Sequence, residues 1–384
     1  MSIRAGILIA LVAMGAASLG LRAIGRRLWP ESPYWRDMPF GVAFGYVLGA
    51  AGIALALKLY FVDRIVFFRW AMNGLIAFSI AAWIFRALGR RIGPGWSRRL
   101  FRQMPLTASF GILTVLAYAF TAIFAGWLAP YGQAEIFEAV NVLPGTDPAH
   151  PLGTDQIGRD ILTRLIYGAQ NTVGIAFATT LIAFFTGGSL GFLAATIGGW
   201  LDQLLSRGID VLMAIPALIF ALLLMTIASA WAGSERWMLT LYMVLIIALI
   251  DATRVFRLAR AVAGNIVVMD YFEAAKLRGE RLPYLIFREI LPNATAPLLA
   301  EFGLRFCFVF LTIAALSFLG IGIQPPLADW GTMVKDLAQF INFAAFSPLT
   351  AALPLMAAGA IALLTVAVNF IVDWMLQKSS GLKE

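Results

Sequence analysis

Asp270-Tyr271-Phe272-Glu273-Ala274-Ala275-Lys276-Leu277-Arg278-Gly279 is a charged, helix-forming stretch set between two long apolar segments. Asp270 with Glu273 three residues on is close to a capping box, so Asp270 is expected to accept backbone N–H groups of the first turn. Glu273 sits at the favourable positive end of the helix dipole, and Lys276 and Arg278 fall near the negative end. Gly279 suits the left-handed residue that stops a helix, and Pro283 suits the first turn of a second one. The spacing predicts a short helix over 270–278. Ala274 and Ala275 give it a low-profile surface that another protein can approach closely. The same stretch also reads as an interfacial helix, with Tyr271 and Phe272 among lipid headgroups.

The surroundings set the context. The chain has 384 residues, 61% hydrophobic and 13% charged, with mean hydropathy +0.84. A soluble domain is nearer half apolar and a quarter charged, so this is an integral membrane protein. A helix needs about 20 apolar residues to span, and several such runs are present. The ten-residue alternation of a membrane barrel is missing, so the fold class is all-α. The net charge of +8 comes from arginines in short loops between apolar runs. That is the positive-inside bias rather than a nucleic-acid surface. Cys307 is the only cysteine and His150 the only histidine. An intrachain disulfide and a multi-histidine metal site are thereby excluded, and no cofactor is expected. No Gly-Lys dipeptide occurs, so the phosphate loop of an ATPase is absent. No serine, cysteine or histidine constellation points to a hydrolase.

Apolar runs predict spans at roughly 4–24, 40–60 and 65–88, then at 106–128, 172–198, 209–230, 238–256, 298–322 and 349–376. Between the two groups lie Arg86, Arg90, Arg91, Arg98, Arg99 and Arg102. Placing these arginines in the cytoplasm makes 129–171 external, 199–208 internal and the link at Ser234-Glu235-Arg236 external. The loop 257–297 is then internal, 323–348 external, and the tail from Gln377 internal. Alternation leaves the N-terminus outside. The first run also has the look of a secretion signal, but cleavage would put Arg22, Arg26 and Arg27 on the wrong side.

Polar residues inside spans ask for partners, because an isolated ion costs a few kcal/mol there. Glu301 and Arg305 stand at i, i+4, and Asp251 and Arg254 at i, i+3, so mutual pairs are expected. Asn369 and Asp373 are expected to pair across helices. Interfacial anchoring and substrate binding are the two roles open to these groups. Gly187, Gly188, Gly191, Gly198 and Gly199 predict close helix packing. In the external segment, Gly153-Thr154-Asp155 and Gly158-Arg159-Asp160 read as turns capping a helix from about Arg159. Asp155 or Asp160 can pair with Arg159 or Arg164. The segment is either a structural plug or a surface that meets an external protein.

Two sets of residues carry a resemblance. Glu273-Ala274-Ala275, then Gly279, then Leu291-Pro292 after eleven more residues, resembles the EAA loop of permease subunits in binding-protein-dependent ABC importers. Glu289 stands where the usual pattern has Ile, with Ile290 beside it. The run from His150 to Ala169, including Gly153, Thr154, Asp155, Gly158, Arg159 and Asp160, closely resembles the dipeptide/oligopeptide (and nickel) permease family. Asp202, Arg207, Asp210 and Pro216 resemble that family's next internal loop and span. Ser317 to Pro326, with Asp329-Trp330-Gly331, resembles its fifth core span and outer loop. The match covers roughly 95–384 and fits the second-permease (C-type) subunit.

The resemblance implies a type I importer transmembrane domain at 95–384, with six core spans, and an N-terminal extension at 1–94 carrying about three more. It implies a multi-pass protein of the bacterial inner membrane and a pathway for peptides, with nickel or another small solute as the alternative. The implied partners are a second homologous permease forming a heterodimer, two cytoplasmic ATPase subunits or domains, an external solute-binding protein and membrane lipid. Asp270, Glu273, Ala274, Ala275, Gly279, Leu291 and Pro292 become the ATPase-coupling residues, and no residue of this chain is catalytic. An ion-coupled transporter would instead need carboxylates facing a mid-membrane cavity. A membrane anchor or receptor without transport is the remaining reading.

Overall fold

The computed structural model describes residues 3–28, 38–60, 66–92, 94–233, 235–344, 347 and 349–379. The side chains of 3–12, 28, 53–60, 66–68, 96, 97 and 379 are outside that description, as are Ser234 and the tail beyond Ser379, on which parts of the expected topology fall. The chain divides into two compact units, Met1–Ile76 and Ala77–Glu384.

In the first unit, α1 (Ile3–Leu28) packs on α2 (Phe40–Tyr60). Ser18 is buried and returns its hydroxyl to the Met14 carbonyl at 2.6 Å, while Leu19, Ile24, Tyr46 and Leu48 are exposed. α3 (Val66–Ile92) follows. Of the expected N-terminal spans, Arg69–Ile92 is long and apolar enough to cross a membrane; the expected runs 4–24 and 40–60 fall partly on residues whose side chains lie outside the description.

The second unit continues with α4 (Gly95–Gln103), α5 (Leu106–Ile123) and α6 (Ala125–Leu128). An irregular segment leads to α7 (Ile161–Ile197), which contains a π turn at Ala169–Val173. Then come α8 (Gly199–Met213), α9 (Ala217–Ala232), α10 (Arg236–Val267) and α11 (Asp270–Leu277). α12 (Leu282–Phe318) has a π segment at Leu285–Ile290. α13 (Trp330–Leu337) and α14 (Ala352–Ser379) complete it. Among the described residues six helices are long and apolar enough to cross a membrane, or seven if α8 and α9 form one bent span.

Two expectations about loops change. α7 and α12 have 37 residues each and α10 has 32. At 1.5 Å per residue these helices run about 50 Å, well beyond a hydrocarbon core of about 30 Å. Most of the expected loop 257–297 is therefore the overshooting ends of α10 and α12, with α11 between them. The expected loop 199–208 is also helical, and the expected span 209–230 is two helices bent by 89°. Pro216 accounts for the bend: it has no N–H to donate, and it disfavours helix at Ile215 before it.

Small residues bring the long helices together. At Gly187 an added Cβ would run into the Ala252 carbonyl of α10. At Gly191 it would lie 2.7 Å from the Phe256 oxygen and 2.8 Å from the Ala259 Cβ. Gly188 is buried but has room, and Gly198 and Gly199, at φ +68 and +63, make the turn into α8. Gly111 of α5 sits on the Ala367 carbonyl of α14, and Tyr118 donates its hydroxyl to Ala360 at 2.9 Å. Backbone proximity of this kind substitutes for a hydrophobic drive that lipid does not supply. Phe306, Phe310, Ile313 and Leu316 of α12 form the core with Met225, Met243, Ile247 and Trp330.

Candidate functional site

α11 lies at one end of the bundle. Met269, in extended conformation, precedes it as the cap residue, and no side chain caps the helix. Asp270 is thus the first helical residue rather than the cap. The reason is local: the Met269 carbonyl already takes the N–H groups of Phe272 and Glu273 at 3.0 and 3.1 Å. Asp270 and Glu273 still place negative charge in the first turn, where the dipole favours it. The other end forms as the spacing predicts. Gly279 has φ +79; its N–H reaches Lys276, and the Glu280 N–H reaches Ala275 at 3.3 Å. That pair of bonds is a Schellman stop.

Only Phe272 and Ala275 of this helix are buried. They enter a cluster made by Phe192 of α7, Ala259, Ala263 and Ile266 of α10, and Leu285, Ile290 and Ala294 of α12. This corrects two expectations. Ala275 is part of the anchor, leaving Ala274 as the small exposed residue. Phe272 is inside the protein, so it is not a headgroup contact. Asp270, Tyr271, Glu273, Ala274, Lys276 and Gly279 face outward, and Leu277 is 88% exposed. Val268 and Phe287 add exposed apolar surface beside them. Leu291 packs partly against the cluster, and Asn293 donates to the Tyr271 hydroxyl at 3.2 Å. Pro292 is exposed just after the π segment of α12. It has no N–H for the carbonyl four residues back, which fits a local departure from α geometry there.

The opposite end is a cap of buried polar groups. Thr154 donates to the Ala139 carbonyl at 2.7 Å and accepts the Val142 N–H at 3.0 Å. Asp155 accepts the N–H groups of Ile157 and Arg159 and the Arg159 Nε at 2.6 Å. Arg159 also reaches Asp336 at 3.3 Å. Asp160 caps α7 through the Thr163 N–H at 2.7 Å and meets His150 Nδ1 at 3.0 Å. Arg164, though buried, joins neither aspartate, and its Nη1 has no hydrogen-bond partner among the described residues. Gly153 and Gly158 have φ +84 and +83, with the Val142 and Phe137 carbonyls where a Cβ would sit. Asp329 caps α13 through Thr332 and accepts the Thr172 hydroxyl, each at 2.8 Å. Burial pushes its carboxyl above the ordinary range, against the pull of those hydrogen bonds. Trp330 donates Nε1 to Leu165 at 2.9 Å. Segments far apart in sequence are knitted into one piece.

Between the ends lies a charge network that crosses two helices. Arg305 meets Glu301 at 2.7 Å and Asp251 at 3.5 Å, and Arg254 meets Asp251 at 3.6 Å. Both expected local pairs form, and Asp251–Arg305 joins α10 to α12. Asp251 sits at the midpoint of its 32-residue helix, ahead of the end that overshoots the expected span. Asn369 and Asp373 are exposed on α14, and their expected cross-helix pairing is not among the described contacts. Asp202 of α8 grips Arg260 of α10, with Nη2 to Oδ2 at 2.6 Å, a tie no spacing rule foretold.

A family described as binding-protein-dependent transport system inner membrane component matches residues 187–380. The chain is 33% identical over 254 residues to the dipeptide transport system permease protein DppC of Alkalihalophilus pseudofirmus, covering 66% of this chain and 81% of that protein. It is 36% identical over 242 residues to DppC of Escherichia coli strain K12, covering 62% and 78%. It is 33% identical over 287 residues to the peptide transport system permease protein SapC of an E. coli O6:H1 strain, covering 73% and 92%.

Proposed function

Because this chain belongs to the family of binding-protein-dependent transport system inner membrane components, the permeases of ABC importers, we propose that it carries peptides and receives its drive through α11. Multi-pass residence in the inner membrane, an ATPase and a substrate-binding protein come with the family. The finer assembly is part of the proposal: a heterodimer with a second homologous permease, two cytoplasmic ATPase subunits or domains that hydrolyse the ATP, and a periplasmic binding protein. Residues 95–384 act as the permease and 1–94 as an appended extension. The 257–297 end is cytoplasmic and the 129–171 cap external. The names of the relatives support peptides as the substrate class.

The observation that carries this reading is the two-sidedness of α11. Its outward face, with Glu273, Ala274, Lys276, Leu277 and Gly279, is free to enter a cleft on an ATPase. Its inward face holds two side chains, and both sit in a cluster shared by α7, α10 and α12. Close-packed interiors transmit displacement rather than absorb it. Closure of the ATPase pair on ATP moves α11, and the cluster passes that movement to three long helices at once. The switch needs contacts that differ between the two states, and an exposed docking helix provides them. The cap at the other end stays rigid as the three helices move.

Affinity capture of the chain in mild detergent, followed by mass spectrometry, tests the assembly. Recovery of a second permease and one or two ATPases is expected. Recovery of the chain alone, under conditions that hold a reference importer together, would count against it. Uptake of a labelled dipeptide by cells with and without the chain, challenged by nickel, tests the substrate class.

A further inference from the structure

The arginines at the corner between α3 and α4 take no part in the coupling helix, the cap or the mid-helix network. Trp83, Arg86, Ala87, Arg90 and Arg91 stand at i, i+3, i+4, i+7 and i+8, so they share one face of the last turns of α3. They line a cleft of about 260 Å³. α4 is latched back onto this corner. The Phe101 ring meets Phe85 edge-on at 5.3 Å, and Arg90 Nε donates to the Phe101 carbonyl at 3.4 Å. Gly89 permits the latch, since a Cβ there would lie 2.6 Å from the Phe101 ring. α4 adds Arg98, Arg99 and Arg102, all exposed. The sequence has no Asp or Glu between Asp63 and Glu135.

We propose that this corner is a binding site for the phosphate headgroups of anionic phospholipids. Guanidinium groups bind phosphate through paired N–H donors. A cluster of four to eight basic residues at the end of a span, or on an amphipathic helix, is the pattern that draws anionic lipid. The surroundings favour lipid over a soluble partner. Trp83, Leu88 and Ile92 are exposed beside the arginines, and tryptophan belongs at headgroup level. A headgroup on the arginines leaves its acyl chains against these apolar groups. The Phe101 latch brings the cations of two helices to one corner before any lipid arrives. The site depends only on the chain's place in a membrane, not on the choice of transported solute.

The test uses the chain purified with its native partners and placed in nanodiscs of equal phosphatidylglycerol and phosphatidylcholine. Retained lipid is measured by mass spectrometry after stepwise delipidation. Phosphatidylglycerol is expected to be retained in excess. Arg90→Gln is expected to weaken retention about fivefold, the usual weight of one basic residue near an anionic surface. Replacing Arg90, Arg91, Arg98, Arg99 and Arg102 together with Gln is expected to abolish the excess. Phe101→Ala keeps every charge, and with it the orienting signal for insertion, yet releases the latch; retention is expected to fall several-fold. Equal retention of the two lipids by the unaltered protein overturns the proposal. So does an undiminished excess in Phe101→Ala, which would mean diffuse attraction rather than a built site. Loss of a protein partner from the Arg→Gln variants with lipid unchanged would give the corner to that partner instead.

Discussion

The two ends of the helical bundle use similar residue types in opposite ways. In the cap, Thr154, Asp155, Asp160, Asp329 and His150 are buried, and their polar atoms bond to one another, to the Arg159 and Thr172 side chains, or to backbone. In α11 the charged residues face outward and only Phe272 and Ala275 are inside. A buried polar group that is satisfied holds segments together, and removing one partner leaves the other stranded. An exposed charged helix adds little stability and leaves its groups at the surface. Two motifs of similar prominence in the sequence are therefore built in opposite ways, one as a clamp and the other, in the function proposed above, as a handle.

The contrast is most exposed to failure at the one large side chain that anchors the handle. Phe272→Ala is expected to cost about 3–5 kcal/mol, the range for emptying a buried aromatic site, and to uncouple transport from ATP hydrolysis in whatever protein folds. Unfolding temperature and ATPase-driven uptake measure the two effects. An unchanged melting transition would mean that the cluster under α11 is not packed as described. Asp160→Ala comes next, at about 2–3 kcal/mol, because it removes a helix cap and a buried partner of His150 together. Its loss is expected in stability, with ATPase recovery intact; the reverse pattern would make the cap a docking surface.

Smaller effects sharpen the comparison. Gly279→Asp forces a side chain into the left-handed region at a cost of about 1–2 kcal/mol and puts negative charge at the wrong end of α11. Co-purified ATPase is expected to drop while membrane insertion persists. Full ATPase recovery with this variant would argue against the docking role. Leu277→Ser is expected to change stability by less than about 0.5 kcal/mol, as exposed sites do, yet to weaken ATPase binding about tenfold if Leu277 is an interface anchor. Titrating the ATPase onto the detergent-solubilised chain would distinguish an anchor from a bystander.

Much of this was legible from spacing, because the determinants are local. Gly279 as a helix stop, Asp155 with Arg159, Glu301 with Arg305 and Asp251 with Arg254 all depend on residues three to five apart along one backbone. Helical periodicity brings such residues together whatever the rest of the chain does. The inward turn of Phe272 and Ala275 was not legible, since α7 and α12 supply most of the pocket. Asp202–Arg260 and Asp251–Arg305 were hidden for the same reason. The overshooting ends of α10 and α12 escaped notice because hydropathy marks where lipid ends, not where the helix does. The midpoint position of the charge network follows from that same extension.

Composition and apolar run length alone decide that the chain is a helical membrane protein, because backbone polar groups in lipid must be satisfied within each segment. Local motifs then decide where helices begin, stop and turn. Which face of a helix is buried, which aspartate meets which arginine, and whether a polar motif becomes clamp or handle belong to the tertiary structure. Those outcomes rest on contacts between residues distant in sequence, and the geometry of such contacts exists only once the long helices have packed.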